Sequence, residues 1–185
     1  MARVTALLAR SGSAAFSLPR LTLAAATAAI VIAVIGGPLV LRRSHSDQIA
    51  HEVVSAHIRS LMPGHLTDVL SSDQHTVKPW FAGKVDFSPP VVDLKDEEFP
   101  LVGGRLDYID NRPVAALTYR RREHIINVFV WPSPSKTDAP ETLEEGQGYN
   151  ALSWTREHTN FWAVSDLNAS ELRQFAQLVR DRASG

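Results

Sequence analysis

The sequence predicts an α+β domain: an antiparallel sheet of about five to six strands with a helix near each end, preceded by one N-terminal transmembrane helix. Three observations predict it. Residues 21–41 contain no charged side chain. Short segments between residues 105 and 164 alternate in polarity with the period of a strand. Helical periodicity with a start signal occurs at 46–62 and again after Asn168.

The apolar run is LTLAAATAAIVIAVIGGPLVL, 21 residues bracketed by Arg20 and by Arg42 and Arg43. At about 1.5 Å per residue it spans roughly 30 Å, the thickness of a hydrocarbon core. A buried core helix is disfavoured, because nothing else in the chain is apolar enough to surround it. A cleaved signal peptide is the competing reading. It must accept a 20-residue leader and Pro38 directly after the small pair Gly36-Gly37. Arg3, Arg10, Arg20 and the amino terminus precede the run, which favours an inside amino terminus and a body outside the cytoplasm. The expected organisation is a short basic leader at 1–20, a span at 21–41 and an extracytoplasmic domain at 45–185. The place of such a chain is the inner membrane, single-pass, with the C-terminal domain in the periplasm.

The charges are segregated accordingly. The chain has 19 Lys+Arg and 20 Asp+Glu, yet its first 43 residues hold five arginines and no acid. The body is therefore acidic, which argues against direct nucleic-acid binding. There is no cysteine, which removes disulfides, thiolate zinc sites and a Cys nucleophile.

In the body, residues 46–62 form an amphipathic helix. Ser46 or Asp47 caps it, and Ile49, Ala50, Val53, Val54, His57, Ile58 and Leu61 form its apolar stripe. Pro63-Gly64 ends it. His65 to Leu70 suits a short strand, Ser71-Ser72-Asp73 is a turn or cap, and Pro79 to Gly83 suits a single helical turn. Gly103-Gly104 indicates a tight turn or bulge. A meander follows, with strands at 105–109, 113–120 and 125–131 joined by turns at 110–112 and near 122–123. Residues 132–148 are Pro-rich and polar and predict a mobile loop. A hairpin at 149–155 and 161–164 precedes the last helix. There Asn168 and Glu171 form a capping box and Leu167 staples to Leu172.

No catalytic motif is present: no GxSxG, no phosphate-cradling Gly loop and no HExxH, so neither an enzymatic activity nor a cofactor is expected. None of the seven histidines falls at a metal-ligand spacing in sequence. His57 on an apolar helix face reads first as a hydrogen-bonded, half-buried side chain. The functional alternative is a sensing, ligand or metal site built by His57, His75 and His124 converging in space, with Asp73 and Lys78 beside His75. Arg120, Arg121 and Arg122 read either as a strand end facing acidic loops or, with Trp80, as a partner contact.

The ordered string of His57-Ile58-Arg59-Ser60-Leu61, Asp73-Gln74-His75-Thr76-Val77-Lys78-Pro79-Trp80-Phe81, Gly103-Gly104-Arg105-Leu106-Asp107-Tyr108, Ala115-Ala116-Leu117-Thr118-Tyr119-Arg120-Arg121-Arg122 and Phe161-Trp162-Ala163-Val164-Ser165-Asp166-Leu167-Asn168 carries a further expectation. Over residues 45–182 it resembles the extracytoplasmic half of proteobacterial membrane-anchored anti-sigma factors, the transmembrane transcriptional regulators. The resemblance implies a negative regulator in stress signalling that senses or transmits an envelope signal by protein contact. Its implied partners are a sigma factor of the extracytoplasmic-function class or another membrane regulator. The family's cytoplasmic sigma-binding domain, a helical unit often built on a zinc motif with cysteines, has no counterpart in residues 1–20. The expectation is thus the sensor half without that domain. A periplasmic metal- or ligand-binding module with no transcriptional role is the alternative.

Overall fold

The computed structural model describes residues 45–183, which form a seven-stranded antiparallel sheet with helices on both faces. The leader at 1–20 and the apolar run at 21–41 lie outside the described residues. Among the described residues no helix is long and apolar enough to cross a membrane.

Helix α1 occupies residues 45–60. It is followed by β1 (Val69–Leu70), α2 (Gln74–Trp80), a 3-10 turn at Lys95–Glu97, β2 (Leu101–Ile109), β3 (Arg112–Arg121), β4 (His124–Pro132), β5 (Ala139–Gly146), β6 (Tyr149–Arg156), β7 (Thr159–Ser165) and α3 (Ala169–Ala183). The strand order is β1-β2-β3-β4-β7-β6-β5. Each half is a run of hairpins, and the central β4–β7 pair joins them, with Asn127 opposite Val164 and Phe129 opposite Trp162.

Tight turns explain the hairpins. Asp110 and Asn111 (φ 52° and 58°) and Glu157 and His158 (φ 47° and 60°) each supply two left-handed residues, and Gln147-Gly148 does the same. This twist matches that of the flanking strands.

Two cores result from the strict alternation of the strands. On one face α1 lays Ala50, Val53, Val54 and Ala56 onto Val114, Ala116, Phe129, Trp131, Trp162 and Val164. On the other, α2, α3 and the segment between Phe81 and Leu101 cover Leu117, Tyr119, Ile126, Val128, Leu152 and Trp154. Phe175 of α3 is the hub of that second core, with its ring 5.2 Å from Phe99 and 5.1 Å from Tyr119. Asn168 caps α3 as expected: its Oδ1 accepts from the Glu171 N–H at 2.9 Å, and its amide donates to the Glu171 carboxylate at 2.7 Å.

Three expectations need correction. The sheet has seven strands, because residues 139–146 of the supposed mobile loop at 132–148 form β5 and pair with β6. The strand is an exposed edge, so its side chains carry no apolar period that would betray it. The short strand expected at 65–70 contracts to Val69–Leu70. The helical turn expected at Pro79–Gly83 begins earlier, at Gln74, because the Asp73 carboxylate accepts from the His75 N–H at 2.8 Å and caps it there. Pro79 sits in its last turn, where only one intrahelical bond is lost.

The Gly103-Gly104 bulge is present as a register shift between Leu101 and Gly103. A Cβ on Gly103 would lie 2.1 Å from the backbone oxygen of Val69, and one on Gly104 would lie 2.9 Å from the Phe81 ring. Gly103→Ala is therefore expected to push β1 off the sheet and to destabilise the domain by about 2 kcal/mol, as overpacking does. A chemical denaturation midpoint equal to that of the unmodified chain would refute this.

Candidate functional site

The charged and polar groups that sequence spacing leaves unexplained fall into two places, one on each face of the sheet. Under α1 lies a buried polar cluster. His57 and Ser60 come from one face of the helix, Thr118 from β3 and Asn127 from β4, and all four are almost fully shielded from solvent. Thr118 and Asn127 are opposite one another in the β3–β4 register.

The hydrogen bonds fix the orientation of each group. The Asn127 amide nitrogen donates to Thr118 Oγ1 at 3.1 Å, so its Oδ1 faces the helix as an acceptor. Ser60 Oγ donates to that oxygen at 2.7 Å and shares its proton with the His57 carbonyl at 2.7 Å. His57 Nδ1 lies 2.9 Å from the same Oδ1. An amide oxygen only accepts, so His57 is held as the Nδ1–H tautomer. Thr118 Oγ1 passes its own proton to the Leu66 carbonyl at 3.3 Å. The edge of the Tyr149 ring packs against the imidazole at 5.1 Å.

Burial pushes the His57 pKa down from the usual 6.5 to about 4, and the nearby Arg105 charge acts in the same direction. The Asn127 bond and Asp166 oppose this without cancelling it. Arg105 is itself 5% exposed and bridges to Asp107 at 3.0 Å. Burial lowers the pKa of its guanidinium from the ordinary value, against the pull of Asp107. Its head lies over the Phe129 ring at 5.5 Å.

A serine, a histidine and an asparagine in contact invite comparison with a nucleophile assembly. The geometry is wrong for one: the Ser60 proton is held between two oxygens, and the imidazole nitrogen in the network faces the amide rather than the hydroxyl. The cluster instead fastens α1 to the strands. Two contacts reinforce it, from Glu52 Oε2 to the Asp110 N–H at 2.8 Å and from Arg59 to Asp107 at 3.9 Å.

The second place surrounds α2 on the opposite face. A groove of about 1170 Å³ runs between α2, the 85–93 segment and the end of α3, with His75, Lys78 and Asp93 on its walls. His75 is exposed there, and Asp73 is occupied as the α2 cap.

The convergence expected of His57, His75 and His124 is thus corrected. His57 lies under α1 and His75 on α2 across the sheet, while His124, at the start of β4, pairs with Asp166 at 2.9 Å. Among the described residues no group of three or more His, Asp or Glu side chains is placed to hold a metal ion.

The arginine run divides at the end of β3: Arg120 and Arg121 are strand neighbours, and Arg122 lies in the turn that follows. Arg121 bonds to Glu98 and lies over the Phe99 ring at 4.7 Å, and Arg122 bonds to Glu171. Both charges face acidic partners, and Arg120 remains exposed. Trp80 is half-buried, edge-on to Phe81 at 5.1 Å, with Lys84 Nζ 4.4 Å from its ring.

Sequence reasoning did not single out Ser60, Arg105, Thr118 or Asn127. The available signal was Asn127, the one polar residue inside the run Ile125 to Trp131. Comparison of the chain with protein-family models, with curated proteins and with solved structures finds no match.

Proposed function

We propose that this chain is a membrane-anchored regulator of the anti-sigma type, whose extracytoplasmic domain passes an envelope signal to the membrane by protein contact. The observation that carries the proposal is the fastening of α1. Residues 45–60 follow directly on the Arg42-Arg43 end of the apolar run. Their inner face is tied to β3 and β4 by apolar packing and by the His57–Ser60–Asn127 bonds. On this reading a rearrangement of the sheet is carried by α1 as a rigid body toward the membrane.

The test has two parts. Alkaline phosphatase fused after Gly185 in a Gram-negative host is expected to be active, which requires an outside C-terminus. Deletion of the gene is expected to raise one set of transcripts that share a promoter class, and the full-length chain restores repression. Prolines at positions 55 and 56 break α1 and abolish the signal response. An inactive fusion, or unchanged transcription on deletion, overturns the reading.

A ligand-binding module with no transcriptional role is the second reading, and the groove beside α2 favours it. Transcription indifferent to deletion, together with saturable ligand binding, would select it.

A further inference from the structure

The sheet ends at β5, and among the described residues no strand pairs with its outer side. The direction of its backbone groups follows from the hairpin with β6. Gln147 and Gly148 form a two-residue turn with both φ values positive (55° and 82°), so Gly146 and Tyr149, which flank it, are a hydrogen-bonded pair. The alternation of an antiparallel ladder then turns the backbone groups of Glu144 and Thr142 toward Ala151 and Ser153 of β6. The N–H and C=O groups of Leu143 and Glu145 face the other way, along the open edge. Such a row is a template for one more strand.

The charges along the edge decide which strand fits. Pairing with β5 of a second copy, in the register that matches Leu143 with Glu145, would set Glu144 directly against itself, and like charges so placed repel. Glu141 is neutralised within the chain, by Arg173 at 3.4 Å and by Arg180 at 2.8 Å. Glu144, Glu145 and Asp47 of α1 have no cationic partner among the described residues. These three carboxylate residues line a pocket of about 240 Å³ together with Ala50 and Val54. A carboxylate rim beside an aliphatic wall suits a lysine or arginine, whose stem covers apolar surface while its head stays charged.

We propose that β5 is a docking edge for an extended, basic segment of a partner protein, which adds to the sheet as a strand on the Leu143 and Glu145 backbone and sets Lys or Arg side chains against Glu144, Glu145 and Asp47. Main-chain bonds supply affinity whatever the partner's sequence, and the acidic flank selects a basic strand over an acidic one or a second copy. The proposal goes beyond the regulatory reading and does not depend on it, because it requires neither a span nor a sigma factor.

The test uses the ¹⁵N-labelled full-length chain in detergent micelles, with the peptide acetyl-Val-Thr-Lys-Arg-Thr-Val-amide as the probe and amide hydrogen exchange read residue by residue. The Leu143 and Glu145 amides are expected to exchange freely without peptide and to become protected as it is added to millimolar levels. The Glu144 amide, already bonded to β6, should change little. The same peptide methylated at every backbone nitrogen keeps its charges but loses its strand donors, and should protect neither amide. The variant Glu144→Gln/Glu145→Gln, altered only on the exposed edge, is expected to need about fivefold more peptide for the same protection. Leu143 and Glu145 amides that stay unprotected overturn the proposal, as does equal protection by the methylated peptide. Protection undiminished in the Gln variant, or equal with acetyl-Val-Thr-Glu-Glu-Thr-Val-amide, overturns the assignment to a basic strand. Protection that rises with protein concentration in the absence of peptide assigns the edge to a second copy and likewise overturns it.

Discussion

Replacing Asn127 with leucine is expected to destabilise the domain by about 3 kcal/mol. Leucine has nearly the same shape, so little of the loss comes from a cavity. It comes from the three bonds that converge on the amide. Ser60 retains the His57 carbonyl and Thr118 retains the Leu66 carbonyl, so neither is orphaned. The His57 Nδ1–H has no second acceptor in the network and remains buried and unpaired, at a cost of about 1 to 3 kcal/mol, to which the lost bonds of the other two groups add. The pair must therefore be coupled. In the double variant His57→Leu/Asn127→Leu both polar groups are gone, and the loss should be smaller than in Asn127→Leu alone. Urea unfolding near pH 7.5, where His57 is neutral in both states, measures it. A double variant that loses the sum of the two single losses would falsify the network as drawn.

The same histidine predicts a loss of stability in acid. Its folded pKa, at about 4, lies below the usual 6.5. As pH falls through 6.5 the unfolded chain takes up a proton that the folded chain refuses until about pH 4. The contribution is intact above about pH 6.5 and is lost progressively between there and about pH 4. It reaches about 3 kcal/mol at 1.36 kcal/mol per pH unit. His57→Gln keeps a donor for Asn127 and removes the titration. Its stability relative to the parent should rise by about that amount between about pH 7.5 and about pH 4. Parallel pH profiles of the two proteins would show that His57 does not titrate as a buried neutral group. The charges that act on the imidazole, Arg105 and Asp166, are common to both proteins, so the difference isolates the imidazole.

Much of this fold was legible because its elements announce themselves locally. The α1 stripe, the Asn168–Glu171 cap and the Asp110-Asn111 turn each depend on neighbours in sequence; the cap and the turn are where the pattern put them, and the stripe holds from Ala50 to His57, while Leu61 falls beyond the helix end and is exposed. β5 was not legible, because an exposed edge strand containing Pro140, Glu141, Glu144 and Glu145 has the composition of a loop; only its pairing with β6 makes it a strand. The site divides in the same way. His57 was readable as a half-buried, hydrogen-bonded residue from the face it occupies, and the structure buries it further. Its partner Asn127 lies 70 positions away, and no spacing rule reaches that far. His75 failed to join it because α1 and α2 cover opposite faces, which depends on how the chain crosses the sheet rather than on either helix.

The strand order has a consequence for how the protein assembles. β2–β3–β4 and β5–β6–β7 are each joined by short turns, so each trio can zip from its own hairpins with little loop-closure entropy. The seam between β4 and β7 must wait until the intervening β5–β6 segment has been brought round. Val128, Phe129 and Val130 sit on that seam opposite Ala163, Trp162 and Phe161. Truncations there should slow folding more than equal truncations in either outer hairpin, because they weaken the step at which two locally formed halves first recognise each other.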